Sequence, residues 1–176
     1  MNTTDTELNT FLQKYSSELS SKVNTSRIKV EILNTTQEDL KKAGEKIQAG
    51  SLVAFPTETV YGLGANALDE QAVKSIFVTK GIHNDFFPNL NIFTGRPLTD
   101  PIIVHVSCVE DARKITDTDE EIRELFQYLT EAFWPGPLTC VLKADLTKIP
   151  LIVTAGTGYV GLRQPKTQVS FFPFLS

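Results

Sequence analysis

The sequence predicts one α/β domain, and three observations carry that prediction. Amphipathic stretches with helical spacing interleave with short apolar runs of about four to six residues, the length of buried strands. Gly and Pro punctuate nearly every junction between them. A chain of 176 residues that is 41% hydrophobic is also large enough to close a single core. The apolar runs are short, so mixed pairing is expected in place of a purely parallel sheet.

In order, residues 1–27 are rich in Ser, Thr and Asn and read as an N-terminal extension, flexible or partly helical. Leu8, Phe11, Leu12 and Tyr15 fall at i, i+3, i+4 and i+7, which suits a short amphipathic helix. Residues 28–32 alternate and predict a strand. Thr36 is placed to cap a helix over 37–48, with Glu38 and Asp39 at its positive end and Gly50 past its close. Residues 52–55 predict the central buried strand, ended by Pro56, which has no N–H to give a ladder. Thr57, Glu58, Thr59 and Tyr61 then sit on a loop ahead of Gly62 and Gly64. A polar, glycine-bearing loop at the end of a buried strand is where α/β proteins build sites.

Asp69 caps the next helix, whose apolar face is Ala72, Val73, Ile76 and Phe77 and whose end is expected near Lys80. Residues 102–106 predict a second buried strand that includes His105, and 109–115 a short helix. Thr118 or Asp119 starts a further helix with Ile122, Leu125, Phe126, Leu129 and Phe133 toward the core. Trp134-Pro135-Gly136-Pro137 stops it, a role in architecture. Residues 138–143 and 159–163 predict the last strands, with a loop around Gly156 and Gly158 between them.

Composition narrows the function. A net charge of -4 supplies no global basic field toward nucleic acid or an acidic membrane surface. Two cysteines, Cys108 and Cys140, make neither a disulfide framework nor a zinc cluster, and Cys140 reads as a buried thiol. No apolar run approaches the roughly 20 residues that span a bilayer. Without a signal-peptide core, the expected location is cytoplasmic.

Several spaced segments occur in one order: Pro56-Thr57-Glu58-Thr59-Val60-Tyr61-Gly62-Leu63-Gly64, Lys80-Gly81, Arg96-Pro97, Pro101-Ile102-Ile103-Val104-His105-Val106, Trp134-Pro135-Gly136-Pro137-Leu138-Thr139 and Val160-Gly161-Leu162-Arg163-Gln164-Pro165. From about residue 35 to 167 this pattern resembles the YrdC-like family, the threonylcarbamoyl-AMP synthases of tRNA modification. The resemblance implies a twisted mixed sheet flanked by helices over residues 28–176. It implies a reaction that condenses L-threonine, bicarbonate and ATP, carried with Mg²⁺, into threonylcarbamoyl-AMP and pyrophosphate. The product would pass to a separate transferase complex that modifies an adenosine of tRNA.

It also implies roles for residues. Thr59, His105 and Arg163 would hold threonine, with Thr57 beside them. Lys80, Arg96, Asp100 and Tyr159 would face ATP. Such chemistry asks for cations and aimed donors more than for a general base, because negative charge spreads over a transferring phosphoryl group. Lys offers a point charge and Arg a planar fork matched to phosphate and carboxylate oxygens. Asp100 stands where the family commonly has Asn, and Tyr159 where it favours Thr. No residue is assigned as acid or base, and none as a metal ligand.

Two departures from the family pattern shape the expectations. Residues 81–94 insert fourteen residues between Lys80 and the Gly95-Arg96 that would follow it, as a loop bearing Ile82, Phe86, Phe87 and Phe93. After Pro165 the family continues through a helix and a strand to a Ser-Ala-Asn segment that touches both substrates. Here residues 168–176 form an apolar tail, Val-Ser-Phe-Phe-Pro-Phe-Leu-Ser at its end. An incomplete sheet, uncovered apolar surface and weak or absent turnover are therefore expected. The rival reading is a non-catalytic product that binds nucleotide, tRNA or double-stranded RNA, or has no function.

Overall fold

The computed structural model describes residues 30–34, 36–56, 61–86 and 99–166. The helix expected around Leu8–Tyr15, Thr57, Thr59, Arg96, residues 87–94 and the 168–176 tail lie outside them. The described elements are α1 (Gln37–Gln48), β1 (Val53–Pro56), β2 (Tyr61–Gly64), α2 (Glu70–Phe86), β3 (Ile103–His105), α3 (Val109–Lys114), α4 (Glu120–Phe133), β4 (Cys140–Lys143) and β5 (Tyr159–Arg163). The domain is α/β with mixed pairing, as the sequence predicts.

Capping chemistry sets the helix starts. Thr36 Oγ1 accepts the Asp39 N–H at 3.2 Å, Asp69 Oδ1 those of Gln71 and Ala72 at 2.8 and 3.2 Å, and Asp119 Oδ1 that of Ile122 at 2.9 Å. Each satisfies N–H groups that no helical carbonyl can reach. Of the two candidates for α4, Asp119 is thus the cap.

The strands form two sheets. In the three-stranded sheet the order is β3-β5-β4, with β5 parallel to β3 and antiparallel to β4. Val104, Val160 and Leu162 point from it into the main core, where they meet Ala72, Val73, Ile76 and Phe77 of α2. Cys140 is buried, and desolvation pushes its thiol pKa up.

Four expectations are corrected. Residues 52–55 do not form the centre of the main sheet: β1 pairs antiparallel with β2 in a separate hairpin. The 61–64 segment, read as loop, is that second strand. Gly62 stands opposite Phe55, whose ring would lie 2.8 Å from any Cβ there, so a glycine that looks like a turn signal is clearance for an aromatic ring. Second, α2 does not end near Lys80 but runs to Phe86, taking up the first six residues of the insertion. One glycine weakens a helix without stopping it.

Third, of the strand predicted over 28–32, residues 28 and 29 lie outside the described residues and 30–32 are irregular, with Val30 78% and Ile32 90% exposed. An alternating run becomes a strand only where another backbone pairs with it. Fourth, α4 does not bury its whole apolar set. Phe126 is buried and Leu129 half-buried, while Ile122, Leu125 and Phe133 are exposed. The buried line instead takes in Thr130, whose hydroxyl donates to the carbonyls of Phe126 and Gln127 at 2.9 and 3.0 Å. A polar residue satisfied within its own helix can enter a core, and it turns the helix so that Leu125 and Phe133 face outward.

This orientation separates neighbouring residues by their cost. Phe126→Ala should destabilise the domain by about 3–5 kcal/mol, and Leu125→Ala by no more than about 0.5 kcal/mol, in urea unfolding monitored by circular dichroism. Equal losses at the two positions would contradict the orientation of α4.

Candidate functional site

Burial alternates along β3, while β5 is exposed at Tyr159, buried over residues 160–162 and half-buried at Arg163, and the shared register of the two strands defines the site. Val104 and Leu162 are fully buried on the core side, so their neighbours Ile103, His105, Gly161 and Arg163 leave the opposite face. In register, Ile103 lies beside Gly161 and His105 beside Arg163 across the parallel pair. Val141 lies beside Gly161, and Lys143 beside Tyr159, across the antiparallel pair. One open face therefore carries His105, Arg163 and Tyr159, with Gly161 as a low floor between Ile103 and Val141. Tyr159 is 54% exposed.

His105 is half-buried, its Nδ1 is shielded from water, and its ring stands edge-on to Phe55 with centroids 6.5 Å apart. The hairpin thus reaches the sheet at His105. Arg163 is half-buried, and its Nε donates to the Gly136 carbonyl at 3.2 Å. Around it, Gly136 N–H donates to Gln164 O at 2.8 Å, Val106 N–H to Arg163 O at 2.9 Å, and Gln164 Nε2 to Ser107 O at 2.9 Å. These bonds tie the ends of β3 and β5 to the turn that follows α4.

The remaining candidates divide. Asp100 is exposed just ahead of β3, and Lys80 is half-buried on α2, a different element from the sheet. Thr57, Thr59 and Arg96 lie outside the described residues. Of the predicted set, the structure therefore pairs His105 with Arg163 and leaves Tyr159 four residues away along β5, on the same face and opposite Lys143. Sequence reasoning missed Phe55, Ser107, Gly136 and Gln164. A glycine between two prolines was the available signal for Gly136; a backbone carbonyl acceptor leaves no mark in residue type. A separate crevice of about 640 Å³ runs along the outer side of α4, lined by Arg113, Glu120, Arg123, Glu124, Gln127, Tyr128 and Glu131. It contains none of the site residues, and its mixed charges are those of a solvated helix face.

Electrostatics beneath the site centre on Asp111 in α3. Burial pushes its carboxyl up, but hydrogen bonds from Lys114 Nζ at 2.8 Å and Ser107 Oγ at 2.5 Å, with Cys108, outweigh this and leave it below the ordinary 3.8. Asp111 thereby fixes the turn whose Ser107 carbonyl receives Gln164.

A mixed sheet with one face in the core and the other bearing an imidazole beside a guanidinium defines a small α/β domain with a polar, open sheet face. The sequence matches, over residues 45–171, the Sua5, YciO and YrdC family, whose description reads Telomere recombination. The chain belongs to that family. It is 43% identical over 125 residues to the threonylcarbamoyl-AMP synthase of Pyrococcus abyssi, covering 70% of this chain and 31% of that protein. To the threonylcarbamoyl-AMP synthase of Bacillus subtilis it is 36% identical over 133 residues, covering 76% and 34%. The crystal structure of P. abyssi Sua5 complexed with L-threonine superposes with a TM-score of 0.62 at 39% identity, over 78% of this chain and 35% of that one. E. coli YciO, at 19% identity and a TM-score of 0.57, shares the fold. The chain thus spans about a third of the length of these two curated relatives.

Because the folded pKa of Asp111 is depressed, its contribution to stability is present above the unfolded value near 3.8 and is lost as pH falls through the lower folded value. The stability gap between the wild type and Asp111→Asn should accordingly be full at pH 6 and close on acidification. A gap that widens toward low pH in urea titrations would reverse the assigned sign.

Proposed function

We propose that this chain is a threonylcarbamoyl-AMP synthase domain, which condenses L-threonine, bicarbonate and ATP and releases pyrophosphate. The observation that carries the reading is the register pair His105–Arg163 on the open face of the sheet, in a chain 39% identical to a relative whose crystal structure holds L-threonine. The threonine amine and bicarbonate give a carbamate and water. A carbamate oxygen then attacks the α-phosphorus of ATP, and the bond to pyrophosphate breaks.

The residues serve this chemistry by position and charge. Arg163 offers a planar fork to the threonine carboxylate. His105, steadied by Phe55, orients the same substrate from the adjacent strand, and Thr57 and Thr59 supply hydroxyl partners. Lys80 and Arg96 meet the phosphates, where developing charge needs cations already in place, while Asp100 and Tyr159 border the nucleotide. Among the described residues no cluster of three or more His, Cys, Asp or Glu could hold a metal. Mg²⁺ is assigned to the ATP phosphates, whose charge it neutralises. The product is a mixed anhydride that serves a transferase acting on tRNA, and the reaction is assigned to the cytoplasm.

A second reading, ligand binding without turnover, is favoured by the fourteen residues that separate Lys80 from Gly95-Arg96. Pyrophosphate release assayed with each substrate omitted in turn separates the two. The synthase reading expects release that requires both threonine and bicarbonate. Arg163→Lys should weaken L-threonine binding about tenfold or more, because Lys lacks the fork, with ATP binding within about twofold. Threonine-independent release, or unaltered threonine affinity in Arg163→Lys, would refute it.

A further inference from the structure

We propose that the Trp-Pro-Gly-Pro turn after α4 is a positioning device for Arg163, and that Gly136 is its working residue. The inference deepens the reading that Arg163 holds the substrate carboxylate. A guanidinium carries its donors in a rigid plane, so fixing one nitrogen fixes the direction of the others. Here Nε is held by the Gly136 carbonyl at 3.2 Å. Among the described residues neither terminal nitrogen of Arg163 has a protein partner. The pair of terminal nitrogens is therefore aimed and left for a ligand, and a carboxylate matches its two parallel N–H groups.

Position 136 needs glycine for this. A Cβ there would collide with the Phe133 carbonyl oxygen, so any side chain forces the turn away and carries the carbonyl with it. The turn itself is held from three sides. Gly136 N–H donates to Gln164 O at 2.8 Å, the residue after Arg163. Gln164 Nε2 in turn binds Ser107 O at 2.9 Å. Trp134 closes the turn by donating its indole N–H to Leu138 O at 2.9 Å, and its ring stands edge-on to Phe126 with centroids 5.4 Å apart. An aromatic anchored in the core thus fixes a backbone carbonyl at the edge of the open face, and the carbonyl fixes the arginine. The turn acts on substrate only through Arg163, so Gly136 is a positioning residue and not a catalytic one.

The test uses the full 176-residue chain, with Gly136→Ala made in the wild type and in Arg163→Lys. Titration calorimetry measures L-threonine and ATP with Mg²⁺, and ¹⁵N NMR follows the Arg163 Nε–H. In the wild-type background Gly136→Ala should raise the threonine Kd about tenfold, leave that of ATP within about twofold, and shift or broaden the Nε–H signal. In the Arg163→Lys background it should change the threonine Kd no further. An equal loss in both backgrounds, or an equal loss for ATP, would show a general structural effect and overturn the proposal. If Gly136→Ala does not fold, Gln164→Leu, which removes the bond to Ser107, is judged by the same criteria. If the wild type binds no threonine, the functional reading fails and the Nε–H signal alone decides. Its exchange protection in the wild type and loss in the variant sustain the clamp; an unchanged signal overturns it.

Discussion

Hydrogen bonding of β5 along both of its edges is the constraint on which the rest depends. Flanked by β3 and β4, the strand has no freedom to slip, because a shift of one residue would exchange Val160 and Leu162 with Tyr159, Gly161 and Arg163. Both buried residues are fully excluded from water, and each would lose about 1.5–3 kcal/mol by exposure. Apolar burial on one face thus dictates that a guanidinium and an imidazole stand side by side on the other. The geometry of the candidate site is a by-product of the core.

Much of this was legible in the residues. The span of α1 with its Thr36 cap, the buried face of α2 and the limits of β5 all follow from local chemistry, namely a hydroxyl before an amphipathic run or an apolar run that starts after a glycine and stops before a proline. His105 and Arg163 were identified by resemblance, and the sheet puts them on one face. What stayed hidden depends on partners distant in sequence. Gly62 looks like a turn residue until Phe55 is placed across from it. Residues 28–32 alternate like a strand, but among the described residues no strand pairs with 30–32. The tilt of α4 is set by Thr130 satisfying its hydroxyl inside the helix, which a count of apolar positions reads as an interruption. Gly136 contributes a carbonyl, the one group every residue has.

The exposed apolar residues also fit together. Leu125 and Phe133 on α4, at 55% and 56% exposure, and Val141 on the edge strand β4, at 65%, lie on surfaces that neither α3 nor β5 covers. Open edges and faces of this kind tend to associate with other chains. The described core is nonetheless continuous from α2 through the sheet to α4, so the face that carries the site has a rigid support beneath it. Support of that kind is what a binding reaction needs, because ordering the groups beforehand removes a cost from association.

The central claim is that one substrate anion lies across the register pair of β3 and β5. Crystals of the chain grown with L-threonine test it most directly. The account predicts electron density for the amino acid on the open face, its carboxylate within hydrogen-bonding distance of the Arg163 terminal nitrogens and its body against His105. Threonine bound elsewhere, or an open face empty at saturating ligand, would contradict it.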